Sequence, residues 1–268
     1  MQLFFDHLVH FVHRQPEEAA QLFREAGFHA VPGGRHTRWG TWNSLSYFGL
    51  SYVEFLAVED AAVAGQSDNP LIVQLVAEHG LGEGLGQIAL RTSEMDRWAE
   101  RFRALGLTLI GPVDGSRTRD DGKTLRWRML FAEDPQTARN MPFLIEWQES
   151  DDERKADLTQ QGIIAPHANG ATELLAVGYA VADLGAATAD WTRWFGWQAA
   201  EAFTDERLGA RCVTFALPGG SIVLCEPTQD GVAQQALTSR GERPFFAKMG
   251  TAKAQPFSYD ICGGMYLI

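Results

Sequence analysis

Long apolar runs are missing from this chain of 268 residues. No stretch reaches the roughly 18 uncharged apolar residues that a membrane-crossing helix needs, so a membrane partner is not expected. The first stretch, MQLFFDHLVHFVH, lacks the basic start and small-residue cleavage site of a signal peptide and reads as a strand. Positive charge is also scarce. Against 34 Asp+Glu stand 23 Lys+Arg, a net charge of -11, which repels phosphate backbones and argues against nucleic acid as a partner. Cysteine is confined to Cys212, Cys225 and Cys262, an odd number with no CxxC pair, which fits reduced, buried thiols and a cytoplasmic location. A phosphate-cradling glycine loop is absent too. The glycines of HGLGEGLG (79–86) precede a strand pattern instead of following one, and the GxGxxG spacing fails.

What remains is an ordinary globular composition, 45% hydrophobic, 21% charged and 11% aromatic, which excludes disorder and coiled coil. The length suits one large domain or two ordinary ones at roughly 150 residues each. The informative feature is an internal repeat of strand, helix and three strands. Residues 3–13 read as a strand. Pro16 opens a helix that Gly27 closes, and strand-like runs follow at 28–32, 42–48 and 51–58. The pattern recurs with a strand at 85–92, a helix that Ser93 caps and Gly106 ends, and strands at 107–112, 125–131 and 142–148. A third copy has a strand at 174–182, a helix at 186–195, and strands at 197–203, 211–217 and 221–226. A shrunken fourth copy has a strand at 244–249, no helix, and 257–267. A linker helix of about 69–79 joins the first two units: Asn69 caps it, Pro70 starts it and Gly80 ends it. The polar run SDDERKADLTQQ separates the second unit from the third. These readings give an α+β fold with domains at 1–150 and 170–268.

Four short strings carry a resemblance. They are Asp6-His7-Leu8-Val9, Tyr52-Val53-Glu54-Phe55-Leu56, Gln87-Ile88-Ala89-Leu90 and Ile145-Glu146-Trp147. In units of this pattern they resemble the strands of the vicinal oxygen chelate superfamily, which includes glyoxalase I, bleomycin-binding proteins and extradiol dioxygenases. The string Gly33-Gly34-Arg35-His36-Thr37-Arg38-Trp39-Gly40-Thr41-Trp42-Asn43 resembles the glyoxalase-like domain branch of that group. The resemblance implies βαβββ units paired into two glyoxalase/bleomycin-resistance-like domains, the second degenerate. It is good over 3–148, in pattern only over 173–227, and weak beyond.

Position by position, the resemblance also implies a metal set of His7, Glu54, Gln87 and Glu146. Strand alternation makes that set coherent if His7, Glu54 and Glu146 face inward and their apolar neighbours face the helices. One imidazole, two carboxylates and an amide oxygen suit a divalent Mn, Ni, Zn, Fe or Mg ion in an octahedral-type site. Gln87 departs from the imidazole seen at this position in many relatives. In the third unit Ala176 stands for His7 and Val223 lies near the place of Glu54, so the second domain carries no such site. His7, His10 and His13 cannot share one ion, because they span about 20 Å and His10 faces the other way.

Around the implied site, Arg91 shares the face of Gln87, and Tyr52 that of Glu54. Arg126 and Arg128 share a face of their strand, which alternation alone leaves as either inner or outer. Inward arginines would favour an anionic small-molecule substrate. The 33–43 string would border the pocket, with His36 as an acid/base group and Arg38 and Asn43 as substrate contacts. Trp191, Trp194 and Trp197 lie at helical spacing and read as core. The function expected from the resemblance is isomerase or lyase chemistry. A proton would leave the carbon beside a carbonyl, with Glu146 or Glu54 as base. The alternatives are a metal-free small-molecule binding protein and an extradiol-type dioxygenase, and a homodimer is left open.

Overall fold

The computed structural model describes residues 1–119, 122–137, 139–251 and 257–268. The first unit is β1 (Phe4–Phe11), α1 (Pro16–Glu25), β2 (Val31–His36), β3 (Thr41–Phe48) and β4 (Ser51–Val58). Two short helices follow, α2 (Ala61–Ala64) and α3 (Pro70–Ala77), and a single 3-10 turn. The second unit is β5 (Gly84–Arg91), α4 (Met95–Ala104), β6 (Thr108–Thr118), β7 (Thr124–Glu133) and β8 (Phe143–Trp147). After α5 (Asp151–Gln160) comes the third unit: β9 (Ala171–Ala180), α6 (Leu184–Phe195), β10 (Phe203–Asp205), β11 (Ala210–Phe215) and β12 (Ser221–Pro227). The chain closes with α7 (Val232–Arg240), β13 (Pro244–Thr251), β14 (Ser258–Ile261) and β15 (Gly264–Leu267).

The units pair as the repeat implies. Strands of the first two form one sheet in the order β2-β3-β4-β1-β5-β8-β7-β6, and the rest form a second in the order β10-β11-β12-β9-β13-β15-β14. In each sheet the first strands of two units lie antiparallel at the centre, β1 on β5 and β9 on β13. The faces of both sheets that look toward α1, α4 and α6 share one apolar core. It includes Phe5, Leu8, Phe23, Trp98, Trp191 and Tyr266. Trp191 and Trp194 are fully buried there, and Trp197 packs at its edge. His10 spans the seam: its Nε2–H donates to the Cys262 carbonyl at 2.9 Å and its Nδ1 lies 2.6 Å from the Tyr266 hydroxyl. No helix is long and apolar enough to cross a membrane among the described residues.

Several local readings shift. Ser93 does not cap α4; the N-cap is Glu94, without a side-chain cap bond, and the Met95 N–H donates to Glu146 Oε1 at 3.2 Å. The polar run after β8 is a helix, α5, started by a capping box in which Ser150 and Glu153 satisfy each other's backbone N–H groups. Arg154 and Leu158 of α5 are buried against the first sheet. The strand expected at 28–32 is displaced to Val31–His36, so part of the glycine-rich string is itself an edge strand. The strand expected at 197–203 shrinks to Phe203–Asp205.

The second sheet's concave face is filled. Ala176, Ala180, Cys212, Val223 and Cys225 line it, and Ala233, Ala236 and Leu237 of α7 pack onto them. Cys212 and Cys225 are cross-strand partners with sulfurs 3.4 Å apart, both free and buried. The first sheet's concave face is different in kind.

Candidate functional site

The site begins with an irregularity in β1. Phe5 pairs with Leu90 and His7 with Ala89, so Asp6 is an extra residue on that strand. Such a bulge re-aims side chains, and here Asp6 and His7, consecutive in sequence, both contact the concave side. Asp6 is completely buried. It accepts from His7 Nδ1 at 2.7 Å, from Arg91 Nη1 at 3.0 Å and from Trp147 Nε1 at 3.2 Å, with Arg154 Nη1 at 3.7 Å. Burial alone would raise the Asp6 pKa. The His7 hydrogen bond and the charges of Arg154, His7 and Arg91 outweigh it and hold the carboxyl well below the usual range.

An ionised Asp6 only accepts, so it fixes the proton of His7 on Nδ1. The His7 ring stacks on Tyr52, centroids 4.5 Å apart, and its Nε2 faces Glu54 Oε2 at 3.5 Å. The other oxygen of Glu54 accepts from Asn43 Nδ2 at 2.5 Å. Asn43 Oδ1 in turn accepts from Arg117 Nη1 at 3.0 Å, which sets the orientation of the amide. A continuous polar line therefore runs Asp6–His7–Glu54–Asn43–Arg117 across β1, β4, β3 and β6.

The two edge strands close the cup. Arg38 in the β2–β3 turn donates from Nη1 to the Asp114 carbonyl of β6 at 3.2 Å. Arg117 of β6 lies over Gly33 and Gly34 of β2. A Cβ on Gly33 would stand 2.0 Å from Asn43 Oδ1 and 2.7 Å from Arg117 Nη1, and one on Gly34 would stand 2.8 Å from Arg117 Cδ. The glycines of the distinctive string thus make room for Arg117 and Asn43. Gly33→Ala is expected to break the Asn43–Arg117 contact and lower stability by about 1–3 kcal/mol, the usual cost of overpacking. Gly80→Ala is the control, since nothing lies within 4 Å of its added carbon. Equal thermal midpoints for the two variants would contradict this.

The cup is narrow: its empty space comes to about 560 Å³ only when the open solvent at its mouth is counted in. Trp39, Tyr47, Tyr52, Trp127, Phe143 and Trp147 wall it, with His7, His36, Asn43, Glu54, Asn69 and Arg117 as its polar groups. His36 Nδ1 lies 3.1 Å from the Thr41 hydroxyl. Burial, with help from Arg117 and against Glu54, lowers its pKa to about 4. Burial likewise lowers His10 to about 4 and His167, against the carbonyl of Tyr47, to about 4. These three are neutral when folded and take up protons near pH 6.5 when unfolded. Unfolding is therefore favoured as pH falls from 6.5 toward 4, by up to about 1.4 kcal/mol per pH unit for each histidine. The urea midpoint is expected to be clearly lower at pH 5 than at pH 7; an equal or higher one would contradict the assignment.

The residues singled out from sequence separate into two groups. His7, His36, Asn43, Tyr52 and Glu54 meet in the cup, and Arg38 stands at its rim. The others do not join them. Trp127 pairs with Trp147 and Met129 with Ile145, and all four face the cup. Glu146, Arg126 and Arg128 therefore alternate away from the cup, contrary to the inward placement expected for Glu146, and line the outer groove that His36, Arg38 and Trp39 also border. Leu144 sets this phase, since it is fully buried in the helix-side core with Leu90 and Leu130. Glu146 accepts from Arg128 Nε at 2.9 Å, and Arg128 also holds Asp96 at 3.1 Å. Arg126 is exposed. Arg91 is buried but engaged by Asp6 and Asp151. Gln87 lies in a separate cavity, donating to Gln74 Oε1 at 3.3 Å and accepting from the Ile88 N–H at 2.9 Å.

The donor set consequently does not fit the metal site that the resemblance implies. Glu146 and Gln87 are turned elsewhere, and Glu54 is already bonded to Asn43. Among the described residues no three His, Cys, Asp or Glu side chains are grouped to hold an ion. Sequence reasoning missed Asp6, Arg117 and two tryptophans of the wall, Trp127 and Trp147. Asp6 was in plain view beside His7, but only a bulge brings it into the site. Arg117 sits in SRTRD, where no periodicity marks a strand.

Comparison with known proteins agrees with this architecture. The glyoxalase-like domain family matches residues 5–195. A hypothetical protein from Staphylococcus aureus shares the fold with a TM-score of 0.80 and 19% identity, over 99% of this chain and 98% of that one. A variant of 4-hydroxymandelate synthase from Streptomyces coelicolor gives a TM-score of 0.58 and 10% identity, over 93% of this chain and 71% of that one. A fusion of a xylose isomerase-like TIM barrel with 4-hydroxyphenylpyruvate dioxygenase gives 0.55 and 13%, over 94% of this chain and 36% of that one. No curated protein matches in sequence. Two βαβββ pairs, one with an open polar cup and one filled, and a family match over most of the chain lead to one conclusion: the protein belongs to the glyoxalase-like domain family of the vicinal oxygen chelate superfamily.

Proposed function

We propose that the first sheet's cup binds a small carbonyl compound and moves a proton at the carbon beside the carbonyl, through its own side chains. The observation that carries this reading is the Asp6–His7–Glu54 line. His7 Nδ1–H is committed to Asp6, so the Nε2 lone pair and Glu54 Oε2 face each other as two acceptors, and a proton that Glu54 takes from carbon can pass to Nε2. Glu54 is the base. His7 holds the abstracted proton and returns it, and Asp6 orients the imidazole and stabilises its cationic form, the logic of a base set by a buried carboxylate. Neutral His36 and the Asn43 amide are placed to donate to a developing enolate oxygen.

The test is solvent exchange. Chelator-treated protein in D2O is expected to incorporate deuterium beside the carbonyl of small ketones or 2-oxo acids, read by proton NMR. Glu54→Gln is expected to lose this. Binding with no exchange for any carbonyl compound would favour the second reading, a metal-free binding protein, which the aromatic walls support. An extradiol iron site needs two histidines and a carboxylate. Across from His7 stands Ala89, and Gln87 is turned away, so the donors argue against that chemistry.

A further inference from the structure

Four arginines are buried among the described residues: Arg91, Arg117, Arg119 and Arg154. Three have carboxylates. Arg91 holds Asp6 and Asp151, Arg119 holds Asp157 at 2.8 Å, and Arg154 lies 3.7 Å from Asp6. Arg117 is the exception. It is 7% exposed and lines the cup, and its hydrogen bond is to a neutral amide, Asn43. Among the described residues no carboxylate lies within ion-pairing distance of it. An uncompensated buried charge is costly, and proteins ordinarily pair it. The structure goes to some length to keep this one in place, with two consecutive glycines cleared for its side chain. Trp39, on the same cup wall, keeps a buried indole N–H without an acceptor.

We infer that the cup takes a flat aromatic monocarboxylate, whose carboxylate pairs with Arg117 and whose ring lies among Trp39, Trp127 and Trp147. This deepens the proton-transfer reading of the same cup and rests on it for the site, not for the chemistry. The planar guanidinium fork matches a carboxylate. One guanidinium neutralises one charge. A phosphate or phosphonate dianion would leave a second charge facing Glu54, which is one amide away through Asn43. The ring assignment rests on the wall: the Trp127 and Trp147 rings lie 5.3 Å apart and those of Trp39 and Trp127 6.4 Å apart, at the end of the cup that opens to solvent.

The test uses the full chain and a matched pair of probes. These are 2-oxo-4-phenylbutanoate and 4-phenylbutan-2-one, which differ by a carboxylate in place of a methyl group. Tryptophan fluorescence reads binding, since three tryptophans wall the cup. The acid is expected to bind at least about tenfold more tightly than the ketone, the weight of one charge-assisted hydrogen bond. Arg117→Ala is expected to bring the two affinities together, and Arg117→Lys to keep part of the preference. Aliphatic 2-oxobutanoate is expected to bind more weakly than the aryl acid, and phenylphosphonate more weakly than benzoate. Equal affinity of acid and ketone for the wild-type protein would overturn the inference without any variant, as would tighter binding of the phosphonate. Deuterium incorporation at the methylene beside the ketone is followed in the same tubes. Binding with the acid preference but no exchange would keep the substrate class and remove the proton-transfer reading. Exchange without the acid preference would do the reverse.

Discussion

Asp6→Ala is expected to destabilise the protein by about 3–5 kcal/mol, the cost of removing one partner from a buried ionic cluster. The carboxylate is completely buried and serves His7, Arg91, Trp147 and Arg154 at once. Alanine leaves the Arg91 charge with only Asp151, which is itself half-exposed, and leaves Arg154 stacked on Trp147 without its counter-charge. Asp6→Asn keeps an acceptor for His7 but not the charge, so an intermediate loss is expected. The pH dependence adds a second check. A carboxyl held below its unfolded value contributes stability above about pH 4, and that contribution is lost as pH falls further. The gap between wild type and variant is therefore expected to be full at pH 7 and to narrow only in strong acid. Urea melts measure both. A loss under about 1 kcal/mol at pH 7 would show that Asp6 is not the centre of the cluster.

Glu54→Gln carries the largest expected effect on activity. A positioned general base contributes roughly 10²–10⁴-fold, so exchange at the carbon beside a bound carbonyl is expected to fall by that factor. Affinity is expected to change only a few-fold, because the glutamine oxygen can still accept from Asn43. Binding and rate should therefore separate in this variant. His7→Gln is expected to cost rate as well, since Gln can hold Asp6 but cannot carry a proton. A Glu54→Gln protein that exchanges as fast as wild type would remove Glu54 as the base, whatever it did to binding.

Much of the fold was legible because each βαβββ unit repeats its own punctuation. Pro16 and Gly27 bracket α1, as Asn69 and Pro70 start α3, and the strands between them alternate. The inward placement of His7 and Glu54, implied by the resemblance, is consistent with the same alternation. What failed was phase and long-range pairing. Over the short β8, FLIEW, either face could be buried, and only the packing of Leu144 on the helix side decides against Glu146. Gln87 shares a face with Ala89, yet it lies mid-strand opposite Val9, where a contact with Gln74 of α3 captures it. The polar run between the second and third units shows no apolar periodicity, and it is its capping box and the buried pair Arg154 and Leu158 that make it a helix. Arg117 could not be found from pattern, since its role depends on two sheet edges that meet only after the sheet curls.

In the proposed reaction the cup works through its own side chains and not through the four-ligand metal site. The most direct measurement is the exchange rate of a bound carbonyl acid in chelator-treated protein, repeated as Mn, Ni, Zn and Fe are added in turn. The account predicts a rate already present after chelation, unchanged by any of the ions, and lost in Glu54→Gln. A rate that is absent after chelation and restored by one of them, with metal bound in near-equal amount to protein, would contradict it.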